Sequence, residues 1–214
     1  MSRREYSMQE SDWDLIVDCP FNNSLIDVSG YEHHCSLISG NPIYTTIDNE
    51  VWLDARNAII RLQNPQQDDY VNSFKLEFDF YQIATRNYWM LIDGFDDGSK
   101  YKGIKVGSSW GTEIGFGLGY GSAKYNDCVR GLAINKSNIQ YNRKYHCIIE
   151  NYLNAIEVSV IDTSTSQAFS ATDITPTLSA SQLSRPYLQI GSDSAWSGRQ
   201  FDGYIRNLQL YKHK

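Results

Sequence analysis

No run in this sequence approaches the roughly 18 consecutive apolar residues that span a bilayer, and the opening MSRREYSMQESDWD has no apolar core of the kind a secretory signal carries. The expectation is a chain without membrane insertion, made in the cytosol or already relieved of a leader, with a virion or a cell-surface assembly left open as its location. Cysteine is scarce: Cys19, Cys35, Cys128 and Cys147 are too few and too widely spaced for a disulfide scaffold. Free and mostly buried thiols are therefore expected. Positive charge is in deficit, with 19 Lys and Arg against 25 Asp and Glu, so the net charge is -6. The tight basic pairs, Arg3-Arg4 and Arg143-Lys144, read as solvated charge. A nucleic acid would be repelled, and no nucleic-acid partner is expected. The sequence also lacks an amphipathic run of three helical turns, a repeat of fixed period and a Gly-Lys-Ser/Thr phosphate loop. Those absences argue against layered α/β enzymes, solenoids, propellers and nucleotide-phosphate binders.

What is present is aromatic and alternating. The 15 Tyr, 8 Phe and 5 Trp favour pleated sheet, where flat side chains pack well. In SFKLEFDFY, Phe74, Leu76, Phe78 and Phe80 share one face while Lys75, Glu77, Asp79 and Tyr81 share the other, the signature of a half-buried antiparallel strand. Similar runs occupy 14–18, 88–93, 102–107, 129–135, 145–151, 155–162 and 187–191, separated by turn-forming clusters such as DGFDDGSK. The predicted fold class is all-β, a sandwich or barrel, with a polar arm over 1–12 and one domain over 13–214. In the closing segment FDGYIRNLQLYK, Phe201, Gly203 and Ile205 share one face, but Leu208 and Leu210 fall in the opposite phase. One extra residue in a strand reverses the direction of every side chain after it, so a β-bulge is predicted here, with the strand bent and changing neighbours midway.

Four stretches in order resemble the laminin-G-like domains of the concanavalin A-like lectin and glucanase superfamily. They are DLIVDCPFNNSLIDVSGYEHH (14–34) with its Asp27-Val28-Ser29-Gly30 turn, NSFKLEFDFY (72–81), YHCIIENYLNAIEVSVID (145–162), and the closing LQIGSDSAWSGRQFDGYIRNLQLYK. The likeness covers about 13–212 and implies a jelly-roll sandwich of two antiparallel sheets, with loops clustered along one rim. Lectins, adhesion modules, glycanases and virion proteins share that fold, so it does not decide function.

Several residue groups suggest chemistry. Glu77 and Asp79 lie on one wet face, similar to the E-x-D-x-E strand of the superfamily's glucanases, but Tyr81 stands where a third carboxylate belongs. Paired-carboxylate cleavage then lacks its acid. His33-His34-Cys35 and His146-Cys147 carry zinc-binding residue types, yet neighbours on a strand point to opposite faces and cannot chelate together. Asp93, Asp96 and Asp97 gather oxygen ligands for a Ca2+ ion in one turn, without the spacing of an EF-hand; a plain hairpin turn is the competing reading. Glycine at 115, 117, 119 and 121 leaves one strand face bare, which suits either a shallow ligand trough or cover by aromatic side chains. Tyr101, Trp110, Tyr120, Tyr125 and Trp196 lie in or beside loops, where exposed rings stack on sugars or anchor protein contacts. The expected function is a non-catalytic recognition or adhesion module that binds a glycan or a protein surface through rim loops. A structural virion component, assembled with other subunits, is the alternative, and a glycan-cleaving enzyme stands last.

Overall fold

The computed structural model describes residues 12–63, 73–84, 89–93, 102–108, 113–120, 129–135, 138–152, 155–174, 187–192 and 200–214. In chain order the strands are β1 (Trp13–Cys19), β2 (Cys35–Gly40), β3 (Tyr44–Ile47), β4 (Glu50–Asp54), β5 (Ala58–Gln63), β6 (Phe74–Gln82), β7 (Trp89–Asp93) and β8 (Lys102–Ser108). They continue with β9 (Glu113–Tyr120), β10 (Val129–Asn135), β11 (Lys144–Tyr152), β12 (Ala155–Asp162), β13 (Ala168–Ile174), β14 (Tyr187–Ile190) and β15 (Gly203–His213).

These strands form a jelly-roll sandwich. An eight-stranded sheet runs β13-β12-β11-β6-β15-β4-β3, with β1 also paired to β15, and a seven-stranded sheet runs β10-β9-β8-β7-β14-β5-β2. The alternating faces of β6 behave as its sequence requires: Phe74, Leu76, Phe78 and Phe80 are all buried. They meet Ile60, Leu62, Ile92, Val106 and Ile190 of the other sheet in one core. Each such side chain contributes about 1.5–3 kcal/mol by leaving water, which is why period two is the strongest organising signal in the chain.

The predicted bulge is present. Register between β15 and β6 shifts between Arg206 and Gln209, and Asn207 takes a positive φ of 51°. Asparagine adopts that conformation more readily than most side chains. Before the bulge β15 pairs with β4, at Tyr204 and Ile205; after it, from Leu208 to His213, it pairs with β1. The extra residue lets Ile205, Leu208 and Leu210 all point into the core despite their mismatched phase.

Two expectations are corrected. Strands β2 to β5 and β13 escape the pattern read from the sequence; in β4, Trp52, Leu53 and Asp54 are all buried in succession, whereas β5 does alternate, with Ala58, Ile60 and Leu62 buried. His33 and His34 precede β2 in a loop and do not lie on a strand. That loop is organised by buried Asp27, whose carboxylate accepts N–H bonds from Asp18 (2.7 Å), Ser29 (2.9 Å) and His33 (2.9 Å) and a bond from the Ser29 hydroxyl (2.8 Å). Burial opposes ionisation of Asp27, but these bonds outweigh it and lower its pKa. Among the described residues no helix is long and apolar enough to cross a membrane. The proposed arm over 1–12 lies outside the described residues except for Asp12.

Candidate functional site

Trp110, Trp196, Tyr101, Tyr125, Asp96 and Asp97 lie outside the described residues, while Tyr120 closes β9 and Asp93 closes β7. Among the described residues no group of three His, Cys, Asp or Glu is arranged to hold a metal ion.

Asp93 lies at the end of β7, and the rest of its turn lies outside the described residues. Backbone register runs one row across the seven-stranded sheet: Ser36 opposite Arg61, Arg61 opposite Gln189, Gln189 opposite Asp93, Asp93 opposite Lys105, Lys105 opposite Gly117, and Gly117 opposite Gly131. In this row Ser36 is exposed, Arg61 half-buried and Gln189 buried, while the flanking Ile60, Ile190, Ile92 and Val106 belong to the core. Arg61 donates to Gln189 Oε1 (3.1 Å) and stacks 4.0 Å above the Tyr187 ring. The glycines of β9 belong to a wider patch: Gly115 lies opposite Gly107, Gly119 opposite Gly103, and Gly117 opposite Gly131. Gly107 is buried.

Glu77 and Asp79 do share the outer face of β6, but both are committed to partners. Glu77 pairs with Lys75 at 2.7 Å. Asp79 accepts from Asn207 Nδ2 (2.8 Å) and Arg206 Nε (3.2 Å) and bonds His146 Nδ1 (2.7 Å). The bond to Asp79 outweighs burial and raises the pKa of His146. This is an ion-pair lattice rather than a nucleophile facing a proton donor. His146 is likewise occupied by a carboxylate, while Cys147 points into the core on the opposite face. The basic pair Arg143-Lys144, expected to be solvated, is instead engaged: Lys144 bridges Glu50 (2.7 Å) and Asp48 (3.0 Å).

Arg143 leads to a site that sequence reasoning missed. At one end of β11, β12 and β13 lies an open cleft of about 180 Å³, lined by Asn138, Gln140, Arg143, Tyr145, Asp162, Gln167 and Phe169. Two loops build its walls, and both are held firmly. In the loop entering β11, Ile139 is buried in the core, the Gln140 N–H donates to the Tyr145 hydroxyl (2.8 Å) and the Asn142 N–H donates to the Gln82 carbonyl (2.8 Å). Tyr145 is itself buried and stacked on Phe80 at 5.3 Å, so the loop is fastened to the centre of the sandwich. The turn between β12 and β13 is organised by Asp162, which accepts from the N–H groups of Ser164 (2.8 Å) and Thr165 (3.2 Å) and from the Ser164 hydroxyl.

Arg143 Nη1 joins the two walls through a 2.7 Å bond to Asp162 Oδ2. Burial disfavours the Asp162 carboxylate, but the bonds from Ser164, Arg143 and Thr165 prevail and hold its pKa at about 2. The cleft is thus lined by the side-chain amides of Asn138, Gln140 and Gln167, the Arg143 guanidinium and the half-buried Phe169 ring. Amides and guanidinium supply paired donors and acceptors for vicinal hydroxyls, and a ring offers a face for C–H contacts. No local motif announces this site, because its lining residues alternate with polar turn residues over 138–169 and meet only through the β11-β12-β13 pairing.

No family model and no curated protein matches the chain. Solved structures do. The chain is similar to the structure described as showing that cell entry of botulinum neurotoxin type C depends on interaction with two ganglioside molecules, with TM-score 0.68, 14% identity, and coverage of 94% of this chain and 48% of that one. It is similar as well to the binding domain of botulinum neurotoxin DC in complex with SialylT, with TM-score 0.64, 13% identity, and 94% and 48% covered. A third likeness is to domain 4 of AbnA, a GH43 extracellular arabinanase from Geobacillus stearothermophilus, in complex with arabinotriose; there the TM-score is 0.64, the identity 15%, and 94% of both chains is covered. The chain spans about half the length of the toxin chains it matches. At these identities the likeness establishes the β-sandwich fold.

Proposed function

We propose that this chain is a non-catalytic glycan-recognition module that seats one sugar residue in the cleft between the loop over 138–143 and the β12-β13 turn. The observation that carries the reading is the cleft itself: amide and guanidinium groups together with an aromatic ring, on two loops fixed by hydrogen bonds, lining an open space of about 180 Å³. Support comes from the arabinotriose complex of a domain matched over 94% of its length and from the ganglioside and sialyl-glycan contexts of the toxin chains. Trp110, Trp196, Tyr101, Tyr120 and Tyr125 stand as further candidate sugar contacts, proposed from their place in the sequence alone. Within the fold, the laminin-G-like type is the finer assignment, carried by the order of the four sequence stretches that fall on β1, β6, β11-β12 and β14-β15. One domain from Trp13 onward is part of the same proposal, supported by the pairing of the first and last strands. The virion role has no counterpart among the three structures described above.

The test is calorimetric titration with arabinotriose and sialyllactose alongside a mixed plant and mammalian glycan array. We expect binding that a Gln140→Ala/Gln167→Ala variant weakens about tenfold or more, the loss of roughly 1.4 kcal/mol of hydrogen bonding. Binding that survives this variant and disappears with Trp196→Ala would move the site to the rim loops. A protein that binds no glycan on the array would overturn the function itself.

A second reading, attachment to a protein surface, is favoured by one observation: Ile26, Val28, Tyr31, Leu37, Ile38 and Ile43 are all exposed along the stretch 26–43. Contiguous exposed apolar groups mark contact surfaces. If this reading holds, Val28→Asp/Ile38→Asp abolishes adhesion to host material while leaving sugar titration unchanged; adhesion that persists in that variant removes it.

A further inference from the structure

The sequence leads one to expect free thiols, yet the fold brings two of them together. Cys19 ends β1 in the eight-stranded sheet and Cys35 begins β2 in the seven-stranded sheet, so the two cysteines belong to opposite layers of the sandwich. Their Sγ atoms lie 3.5 Å apart, both side chains are buried, and 16 positions separate them in sequence. The backbone on either side is already fixed. The Val28 N–H donates to the Asp18 carbonyl (2.8 Å), the Cys35 N–H donates to the Leu25 carbonyl (2.9 Å), and buried Asp27 gathers the Asp18, Ser29 and His33 N–H groups. Cys19, Cys35 and Cys147 are all free, buried thiols, and Cys147 sits apart from the pair on β11.

We propose that Cys19 and Cys35 are a disulfide-forming pair that staples the two sheets together and closes the loop bearing Ile26, Val28 and Tyr31. Bond formation needs the sulfurs to approach from 3.5 Å to about 2.05 Å, a closure of about 1.5 Å. The oxidant is a small disulfide such as oxidised glutathione. One cysteine thiolate attacks it, giving a mixed disulfide and releasing one glutathione thiolate. The second cysteine thiolate then attacks the protein-bound sulfur and releases the other glutathione. Two protein thiols lose two protons and two electrons in total, and one glutathione disulfide becomes two glutathione thiols.

Timing follows from burial. In the folded, reduced protein neither sulfur is reachable, and the pKa of Cys35 is raised, first by its hydrogen bond with Cys19 and then by burial. Thiolate is the attacking species, so the folded protein resists oxidation. The pair closes while the loop is still open, during folding in an oxidising medium. A closed loop of this length constrains the unfolded chain enough to raise the thermal midpoint by about 6–12 °C.

The experiment refolds the full chain with and without a glutathione redox buffer, followed by intact mass measurement, alkylation and peptide mapping. We expect a species about 2 Da lighter, a linked peptide joining Cys19 to Cys35, and a higher thermal midpoint that falls back on adding reductant. A Cys128→Ala/Cys147→Ala variant should keep the link, since Cys19 and Cys35 are then the two thiols left to form it. In the same buffer the already folded, reduced protein should stay reduced over the same interval. Refolded protein with four alkylatable thiols, or a link that joins other cysteines, overturns the proposal. Cys35→Ser tests it from the other side, since that variant should lose the 2 Da change and the reductant-sensitive part of its midpoint.

Discussion

Asp162→Asn is the perturbation whose size follows most directly from the structure. The wild-type carboxylate is almost fully buried, with its side chain 4% exposed, and its pKa is held at about 2 against an ordinary value of 3.8. That difference corresponds to about 2.4 kcal/mol of preferential stabilisation of the charged form. The Arg143 side chain is 39% exposed, so solvent screens part of this interaction and about 1–2 kcal/mol is the better expectation. A folded-state pKa below the unfolded one stabilises fully at pH values above the unfolded pKa and loses that stabilisation as pH falls through the folded pKa. Urea unfolding at a series of pH values is the assay. The wild type should exceed Asp162→Asn by about 1–2 kcal/mol at neutral pH, by about half of that near pH 3, and by little once the pH falls to 2. A gap that stays constant down to pH 3, or no gap at neutral pH, would refute the claim that this carboxylate charge holds the turn.

Three further outcomes are expected. The imidazole of His146 should titrate above its usual 6.5 in NMR, and Asp79→Asn should bring it down; because the folded pKa is raised, the pair stabilises below pH 6.5 and loses its contribution as pH climbs through the folded value. Phe80→Ala removes a ring packed on Tyr145 (5.3 Å) and Phe201 (6.4 Å) and should cost about 3–5 kcal/mol in chemical denaturation. For Gly203→Ala the new Cβ would stand 2.2 Å from the Tyr81 carbonyl oxygen and 2.6 Å from the Phe201 ring, so a loss of about 3 kcal/mol is expected; a neutral result would mean that β15 shifts easily at its start.

The parts of the fold legible in the sequence are those in which one face is dry and the other wet. Phe74 to Phe80, the β11-β12 hairpin and the phase reversal between Ile205 and Leu208 could all be read from period two, since each carries a buried-exposed contrast at adjacent positions. Where that contrast fails, the strand is hidden. After Cys35, the residues of β2 are exposed on both faces at the edge of its sheet, whereas β4 buries three residues in succession. The cleft was illegible for a related reason. Arg143 finds Asp162 only because β11 and β12 bring Tyr145 opposite Asp162, and nothing near Arg143 in sequence distinguishes it from a solvated charge. Cys19 and Cys35 are free and buried as expected, but their 3.5 Å approach is created by stacking two sheets and could not be read from their spacing. Glu77 and Asp79, conversely, were read correctly as outer-face carboxylates, and the structure adds the cations that occupy them.

The proposed sugar site is tested most directly by where arabinotriose perturbs the backbone. Amide correlation spectra recorded during titration with arabinotriose would locate it, because backbone signals report contact residue by residue. Shifts concentrated at Asn138 to Arg143 and at Asp162 to Phe169 are the predicted result. Shifts confined to the glycine-bearing strands β8 to β10, or a spectrum unchanged at millimolar sugar, would contradict it.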